Sequence, residues 1–543
     1  MSQQTFNIAS AIQMAFTLYQ SKKYHECVDI CIQILSVDCT RADVWSLAGI
    51  VMLEFRIYER AIEYFTQACQ CAPNEPSHRL NLAEAYRRNG QARLCIDELY
   101  ALLKQDSAME DNPTLHFNLA RAYADLEDSN QSIKHYTIAI KLDPNDLGAM
   151  FNLANAQVSL KQFGQAIELY LNAFSKGYLD AGVNLASTYV QIGLFSEALE
   201  VYSALYEHYR DDSEFIFNYA NALQYAKADA QHTQALYQQA ISLNPKRAEY
   251  YINYAHFLLR TLHFAQGFRI YEARKELPNM LPQGISHIWE FSEEGVQAFK
   301  DKDVLVYYEQ GLGDSIMFAR FVPALQQYAK SVRVIVQEPL VKFFTFMDIP
   351  SVACMSEVGH YDSAISLLSL PLALNVSHTK DLQHTPFMRT TKPTKHVRKI
   401  GICFSTDSKF TESSLKNIPL NELMSVLQPF MQSHGVKIYS LNKAKCEHIA
   451  QYDVISQEMN DFFDTYEIIN GLDMVISIDS AVAHLSASMG KHTIVLLHKR
   501  YDWRWGNGIS TPWYENVVCM AQSKMNDWSD VAENLSAYLK AWI

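Results

Sequence analysis

The sequence predicts an α-helical solenoid followed by an α/β region, a fold class of α + α/β. Two observations predict it. A tripeptide led by asparagine returns with a period near 34 residues through the first half of the chain. In the second half, short apolar runs end in Gly-rich or Asp-Ser turns, each placed to open a helix.

The 543 residues suffice for several domains, and a hydrophobic share of 49% makes the chain globular rather than disordered. Net charge is -13, with no long basic run, which argues against nucleic acid or an anionic membrane surface as the main partner. The start, Met1 to Thr5, has no basic or apolar leader, and no apolar run is long enough to span a bilayer. The ten cysteines are scattered without a C-x-x-C pair, so zinc and redox motifs are unsupported. A cytoplasmic protein with reduced thiols is expected.

The repeat begins at Asn81, Asn118, Asn152, Asn184, Asn218 and Asn253, each followed by Leu-Ala or Tyr-Ala. Successive asparagines are 37, 34, 32, 34 and 35 residues apart, the period of a helix-turn-helix solenoid. Within one unit Leu119, Ala120 and Tyr123 share a helix, Ser132, Tyr136 and Ala139 share the next, and Pro144 closes it. An earlier unit reads Trp45, Gly49, Ala61, Phe65, Ala68 and Pro73. Small residues admit close helix approach and aromatics fill the gaps. This pattern resembles the tetratricopeptide family, with seven to eight repeats over residues 1–275. In that family the first helix of each unit lines the concave groove. The six asparagines then read in two ways: as amides that bind the backbone of an acceptor peptide, or as residues that only stabilise the turn.

Pro278, Pro282 and Gly284 mark a linker at residues 276–300. A strand at Val304–Tyr308 then feeds Glu309-Gln310-Gly311-Leu312-Gly313-Asp314, a helix from about Ser315 to Ala329, and a strand at Val332–Val336. This is βαβ with a glycine turn at the carboxyl end of the strand, where α/β folds bind ligands. Gly311 and Gly313 permit close approach, and Asp314 is either a helix cap or a group facing the crevice. The first lobe is assigned to residues 301–395 and the second to 396–543. Strands at Lys399–Phe404, Gly435–Leu441 and Lys491–Leu497 belong to the second lobe. So does an apolar run ending at Asp479-Ser480, where a helix opens with Ala481. Free N–H groups and the helix dipole suit phosphate there, with Ser480 adding a hydroxyl. His484 lies one turn in, either touching a diphosphate or buried on a backbone carbonyl. Trp503 and Trp505 either stack on a base or sugar or anchor their loop in the core. Asp301-Lys302-Asp303 stands at the wrong end of its strand for a substrate site and reads as solvated charge.

The segments EQGLGDSIMFARFVP (309–323), DSAVAHL (479–485) and DWRWG (502–506), in this order after the repeats, resemble the glycosyltransferase domain of bacterial tetratricopeptide fusion proteins. That domain is related to the ADP-heptose:lipopolysaccharide heptosyltransferases. The resemblance implies a GT-B-like pair of Rossmann-like lobes, metal-independent and inverting, using a nucleotide-sugar as co-substrate with no other cofactor. It implies Asp314 as general base, and Asp479, Ser480, Ala481 and His484 as holders of the donor diphosphate. Lys416 stands where relatives often carry Arg-Ser before an Ile/Leu-Pro-Leu run, and Phe404-Ser405 replaces the usual Trp-x-Gly.

The expectation is a sugar transfer to Ser or Thr of a protein acceptor held by the repeats, with flagellin, the acceptor of some such fusions, as one candidate. Two alternatives stand beside it. One is an interaction scaffold with an inactive glycosyltransferase-like domain, and the other is a transferase acting on a glycan or lipid.

Overall fold

The computed structural model describes residues 7–278, 284–382, 397–406, 413–443 and 447–543, so Pro282 lies outside the described residues. The chain forms two compact units. One runs to Ile192 and adds Glu200–Leu205; the other takes Gly193–Leu199 and Tyr206–Ile543.

The first unit is built of antiparallel helix pairs. They are α1 (Ile8–Gln20) with α2 (Tyr24–Val37), α3 (Ala42–Glu54) with α4 (Tyr58–Cys71), α5 (Pro76–Arg88) with α6 (Ala92–Gln105), α7 (Pro113–Asp125) with α8 (Ser129–Leu142), and α9 (Leu147–Ser159) with α10 (Phe163–Ser175). Helix α11 (Leu179–Ile192) follows, and α12 (Phe195–Tyr209) is divided between the units. Asn7, Asn112, Asp128 and Asp146 cap their helices by accepting from backbone N–H groups, while Pro76 and Pro113 open theirs. The small-and-large interlock is literal at Gly49, where a Cβ would stand 2.7 Å from the buried Phe65 ring.

The second unit carries α13 (Ser213–Ala226), α14 (Ala230–Leu243), α15 (Ala248–Arg260) and α16 (Phe264–Tyr271). Between the two helices of successive repeats stands a residue in the left-handed region: Lys22, Arg56, Gly90, Glu127, Lys161, Gly193, Lys227 and Leu262. The chain then enters β1 (Asp303–Tyr307), α17 (Leu312–Phe318), α18 (Val322–Gln326), β2 (Ser331–Ile335), α19 (Glu338–Phe346), β3 (Ser351–Val352), β4 (Ser363–Ser366) and α20 (Leu370–Ala373). The single helix expected from Ser315 to Ala329 is divided into α17, a 3-10 turn and α18. Pro323 has no N–H to continue the ladder and instead starts α18. The sheet order is β3-β2-β1-β4, all parallel. Residues from the expected linker join this sheet: Trp289 N–H donates to Ala364 O at 2.7 Å, and Ala364 N–H to His287 O at 2.9 Å.

The last part comprises β5 (Lys399–Cys403), α21 (Ser413–Lys416), α22 (Leu420–His434), β6 (Lys437–Ser440), β7 (Ile455–Ser456), α23 (Phe462–Asn470), β8 (Met474–Ile478), α24 (Ala481–Ser488), β9 (His492–Leu497), β10 (Val517–Ala521) and α25 (Ser529–Trp542). Its parallel sheet runs β10-β9-β8-β5-β6-β7. Counted within the lobe this is 3-2-1-4-5-6, the doubly wound α/β order, with its switch point between β5 and β8. The strands are apolar on both faces: Ile400, Ile402, Ile476 and Ile494 pack to one side, Val475, Val495 and Leu497 to the other. No helix among the described residues is long and apolar enough to cross a membrane.

Candidate functional site

Each sheet presents its switch-point strands at one crevice. β1 delivers the glycine turn and α17; β8 delivers Asp479, Ser480 and α24. The two turns meet directly: a Cβ on Gly313 would lie 2.9 Å from His484 Cδ2 and 3.5 Å from Ala481 Cα. Glycine at 313 is therefore a packing requirement. The sequence-predicted residues Gly311, Gly313, Asp314, Asp479, Ser480, Ala481 and His484 thus come together in space, as does Lys416.

Asp314 sits in the first turn of α17, where its Oδ2 accepts from Gly311 N–H at 3.1 Å. Its Oδ1 pairs with the Arg504 guanidinium, which also donates to Asp502 Oδ1 at 2.9 Å and Gln310 Oε1 at 3.3 Å. Asp314 is not the N-cap, which is Gly311; it is the third residue of the helix, reaching back to the Gly311 N–H, with 18% of its side chain exposed. Burial pushes its carboxyl above the usual carboxylate range against the pull of Arg504, whose charge is shared with Asp502. Asp502 is held well below that range: burial would raise it, but Arg504 outweighs burial. Gln310 is fixed by donating to Tyr271 Oη at 3.0 Å, and Glu309 by a two-point pair with buried Arg274 at 2.6 and 3.2 Å.

On the opposite wall Ser480 caps α24, accepting from Ala483 N–H at 3.4 Å, and its hydroxyl lies 2.9 Å from Ser477 Oγ. Lys416 Nζ donates to Asp479 Oδ2 at 2.6 Å. Burial would lower the Lys416 ammonium, but the adjacent Asp479 carboxylate outweighs it and the net shift is upward, so the group stays charged. His484 is buried, with Nδ1 3.0 Å from Tyr514 Oη and its ring stacked on Trp505 at 4.7 Å. Burial pulls it down to about 3, so it is neutral at pH 7. Its partner is a tyrosine hydroxyl rather than the backbone carbonyl that was the alternative. Trp503 and Trp505, 1% and 0% exposed, take the anchoring role and leave no face for a base or sugar. A cavity of about 200 Å³ opens at the ends of β5, β6 and β8, lined in part by Ser405, Thr406, Asn442 and Ser480. Asn442 holds the turn after β5, accepting from Phe404 N–H at 3.1 Å and donating to Ser405 O at 2.8 Å.

Arg504, Gln310, Asn442 and Tyr514 escaped the sequence reading. Arg504 stands inside DWRWG and Gln310 inside the glycine turn, so the motifs held that signal. Asn442 stands two residues past the carboxyl end of β6, the strand paired with the switch-point strand β5. Asp303 lies at the far end of β1, where it is paired with Lys330 at 2.9 Å rather than with its neighbour Lys302.

The repeat asparagines are more occupied than an open row of amides. In the first unit Asn118 is buried, Asn81 donates to Ser46 Oγ at 3.4 Å, Asn152 to Gly148 O at 2.9 Å and Asn184 to Asn155 Oδ1 at 2.7 Å. In the second, Asn253 donates to Glu249 O at 3.0 Å and Asn218 is half-buried. Each donating amide keeps a second N–H.

Residues 117–175 match the family model described as Tetratricopeptide repeat. The TPR repeat-containing protein YpiA of Bacillus subtilis is 25% identical over 177 residues, 32% of this chain and 41% of that protein. The chain thus spans less than half of that relative's length. Similar solved structures include the C-terminal part of a TPR repeat-containing protein from Cytophaga hutchinsonii, 13% identical with TM-score 0.36, covering 45% of this chain and 98% of that one. Pseudomonas aeruginosa PilF is 15% identical with TM-score 0.33, covering 38% and 94%. YrrB, a TPR protein with an unusual peptide-binding site, is 16% identical with TM-score 0.26, covering 31% and 86%. The chain carries tetratricopeptide repeats.

Proposed function

We propose that the α/β region transfers a sugar from a nucleotide-sugar to Ser or Thr of a protein acceptor recruited by the repeats, with flagellin one candidate. The observation that supports this reading is the meeting of two switch-point turns at one crevice. One carries a carboxylate of raised pKa, and the other carries a capped helix start with a charged lysine beside it. Asp314 takes the proton of the acceptor hydroxyl as its oxygen attacks the anomeric carbon. The carbon–oxygen bond to the nucleoside diphosphate breaks and its electron pair leaves with the diphosphate. Lys416 and the α24 N-terminus stabilise that charge. His484, being neutral, positions the Gly313 turn rather than neutralising phosphate.

The test is intact-mass spectrometry of candidate acceptors from cells with the protein, without it, and with Asp314→Asn. The acceptor should lose one sugar mass in the last two samples, and turnover in vitro should fall about 100-fold or more for the variant. Unchanged masses in all three would sink the transferase reading.

A scaffold reading has its own support. Both Asp314 oxygens already have partners, Gly311 N–H and Arg504, and the Gly313 turn abuts His484. On this reading the repeats bind a partner and the α/β region is inert. Full biological activity of Asp314→Asn, with partner capture that needs only the repeats, favours it.

A further inference from the structure

A cavity of about 720 Å³ lies in the second unit, lined by residues separate from the crevice residues described above. Its wall is made by Gly193 and the first turn of α12, the turn after α13, the loops carrying Lys499 and Asn507, and strand β10 through Gln522.

The polar atoms of two buried side chains on this wall have no hydrogen-bond partner. Gln522 is 4% exposed, and neither Nε2 nor Oε1 of its amide makes a hydrogen bond. Tyr501 is equally buried, and its hydroxyl is likewise unpaired. Burying such groups unpaired is unfavourable, and β10 does not need the Gln522 side chain, since the residue's backbone N–H already donates to Leu497 O at 2.9 Å.

Two ammonium groups stand on the same wall, held at fixed points. Lys227 Nζ donates to Asn507 O at 3.0 Å and lies 5.2 Å above the Tyr501 ring. Lys499 Nζ donates to Gly193 O at 2.7 Å and lies 4.9 Å above Phe195. Each ammonium keeps two further N–H donors. The wall's carboxylate, Glu197, is exposed, so the lining is net positive in a protein of net charge -13.

We propose that this cavity binds a small polyhydroxylated anion of the sugar-phosphate class. The lysines supply the charge for the anionic group. The Gln522 amide offers a donor and an acceptor side by side, and a hydroxyl satisfies either; the Tyr501 hydroxyl does the same. The volume falls within the range of small-molecule sites. A peptide adding as a strand along β10 fits less well, because Cys519 N–H on the outer edge already donates to Ile509 O at 2.9 Å. The proposal is independent of the transferase reading and holds equally for a scaffold.

The test is isothermal titration calorimetry on the full chain at low ionic strength, with glucose 6-phosphate, glucose and inorganic phosphate as separate probes. Glucose 6-phosphate should bind at least about tenfold more tightly than inorganic phosphate, and glucose should give no heat. Gln522→Leu should weaken glucose 6-phosphate about tenfold or more while leaving Tm unchanged or higher, because the lost amide had no partner. Lys227→Gln with Lys499→Gln should abolish the binding. No binding of glucose 6-phosphate overturns the proposal. So does affinity untouched by these substitutions, or equal affinity for inorganic phosphate.

Discussion

Replacing Arg504 by Met removes the buried cation that two part-buried carboxylates share. Arg504 is 8% exposed, pairs with Asp314 and Asp502, and spreads over the Trp503 ring at 4.6 Å. Deleting one partner of a buried ion pair leaves an uncompensated charge, at a cost of roughly 3–5 kcal/mol. Asp502 keeps the backbone N–H of residue 504, 2.9 Å from its Oδ1, so the lower end, about 3 kcal/mol at pH 7, is expected. The cost also has a sign in pH. Without Arg504, burial and the charges of Asp502 and Asp479 act on Asp314 against the Gly311 N–H bond alone, and raise its already raised pKa further. Between the unfolded carboxylate pKa and that higher folded value, the folded variant binds more protons than the unfolded chain. Its stability therefore rises as pH falls, and the deficit against the parent protein shrinks toward pH 5. Tryptophan fluorescence in urea suits the measurement, because six of the seven tryptophans belong to the second unit. Adding Asp314→Asn to Arg504→Met should return more than about 1 kcal/mol at pH 7. A loss below about 1 kcal/mol, or one that does not change between pH 7 and 5, would refute the shared-cation argument.

Gly313→Ala should destabilise the second unit by about 1–3 kcal/mol, because the new Cβ meets a His484 ring already fixed by Trp505 and Tyr514. The same urea titration reads it, and a change under a few tenths of a kcal/mol would mean the two turns part easily. In the first unit His135 is buried 3.1 Å from His116, Nδ1 to Nδ1, and burial followed by the His116 charge pulls its pKa down to about 4. Its unfolded value is near 6.5, so from pH 6.5 to 4 the unfolded chain binds the extra proton. Stability of this unit should then fall by about 3 kcal/mol as pH drops through that window, and level off below it. Circular dichroism melts of the parent and His135→Phe proteins test this; an equal acid loss in both would place its origin elsewhere.

Local regularities carried the repeat half in the sequence. Small and aromatic residues recur at fixed offsets because every helix pair faces the same neighbour geometry, and the Asn period matches the period of the left-handed turn residues. That backbone position itself was not legible, since only Gly90 and Gly193 among those eight turn residues are glycine. Likewise the two βα turns could be placed at strand ends from apolar run lengths and the residues that stop them. The structure alone decided their partners. Asp314 meets Arg504 from 190 positions away, Lys416 meets Asp479, and Gly313 meets His484, because strand order brings distant loops to one edge. Trp503 and Trp505 read equally well as ligand platforms or core anchors, since an aromatic ring suits both. Burial, a property of what packs against the ring rather than of the ring itself, settled the choice.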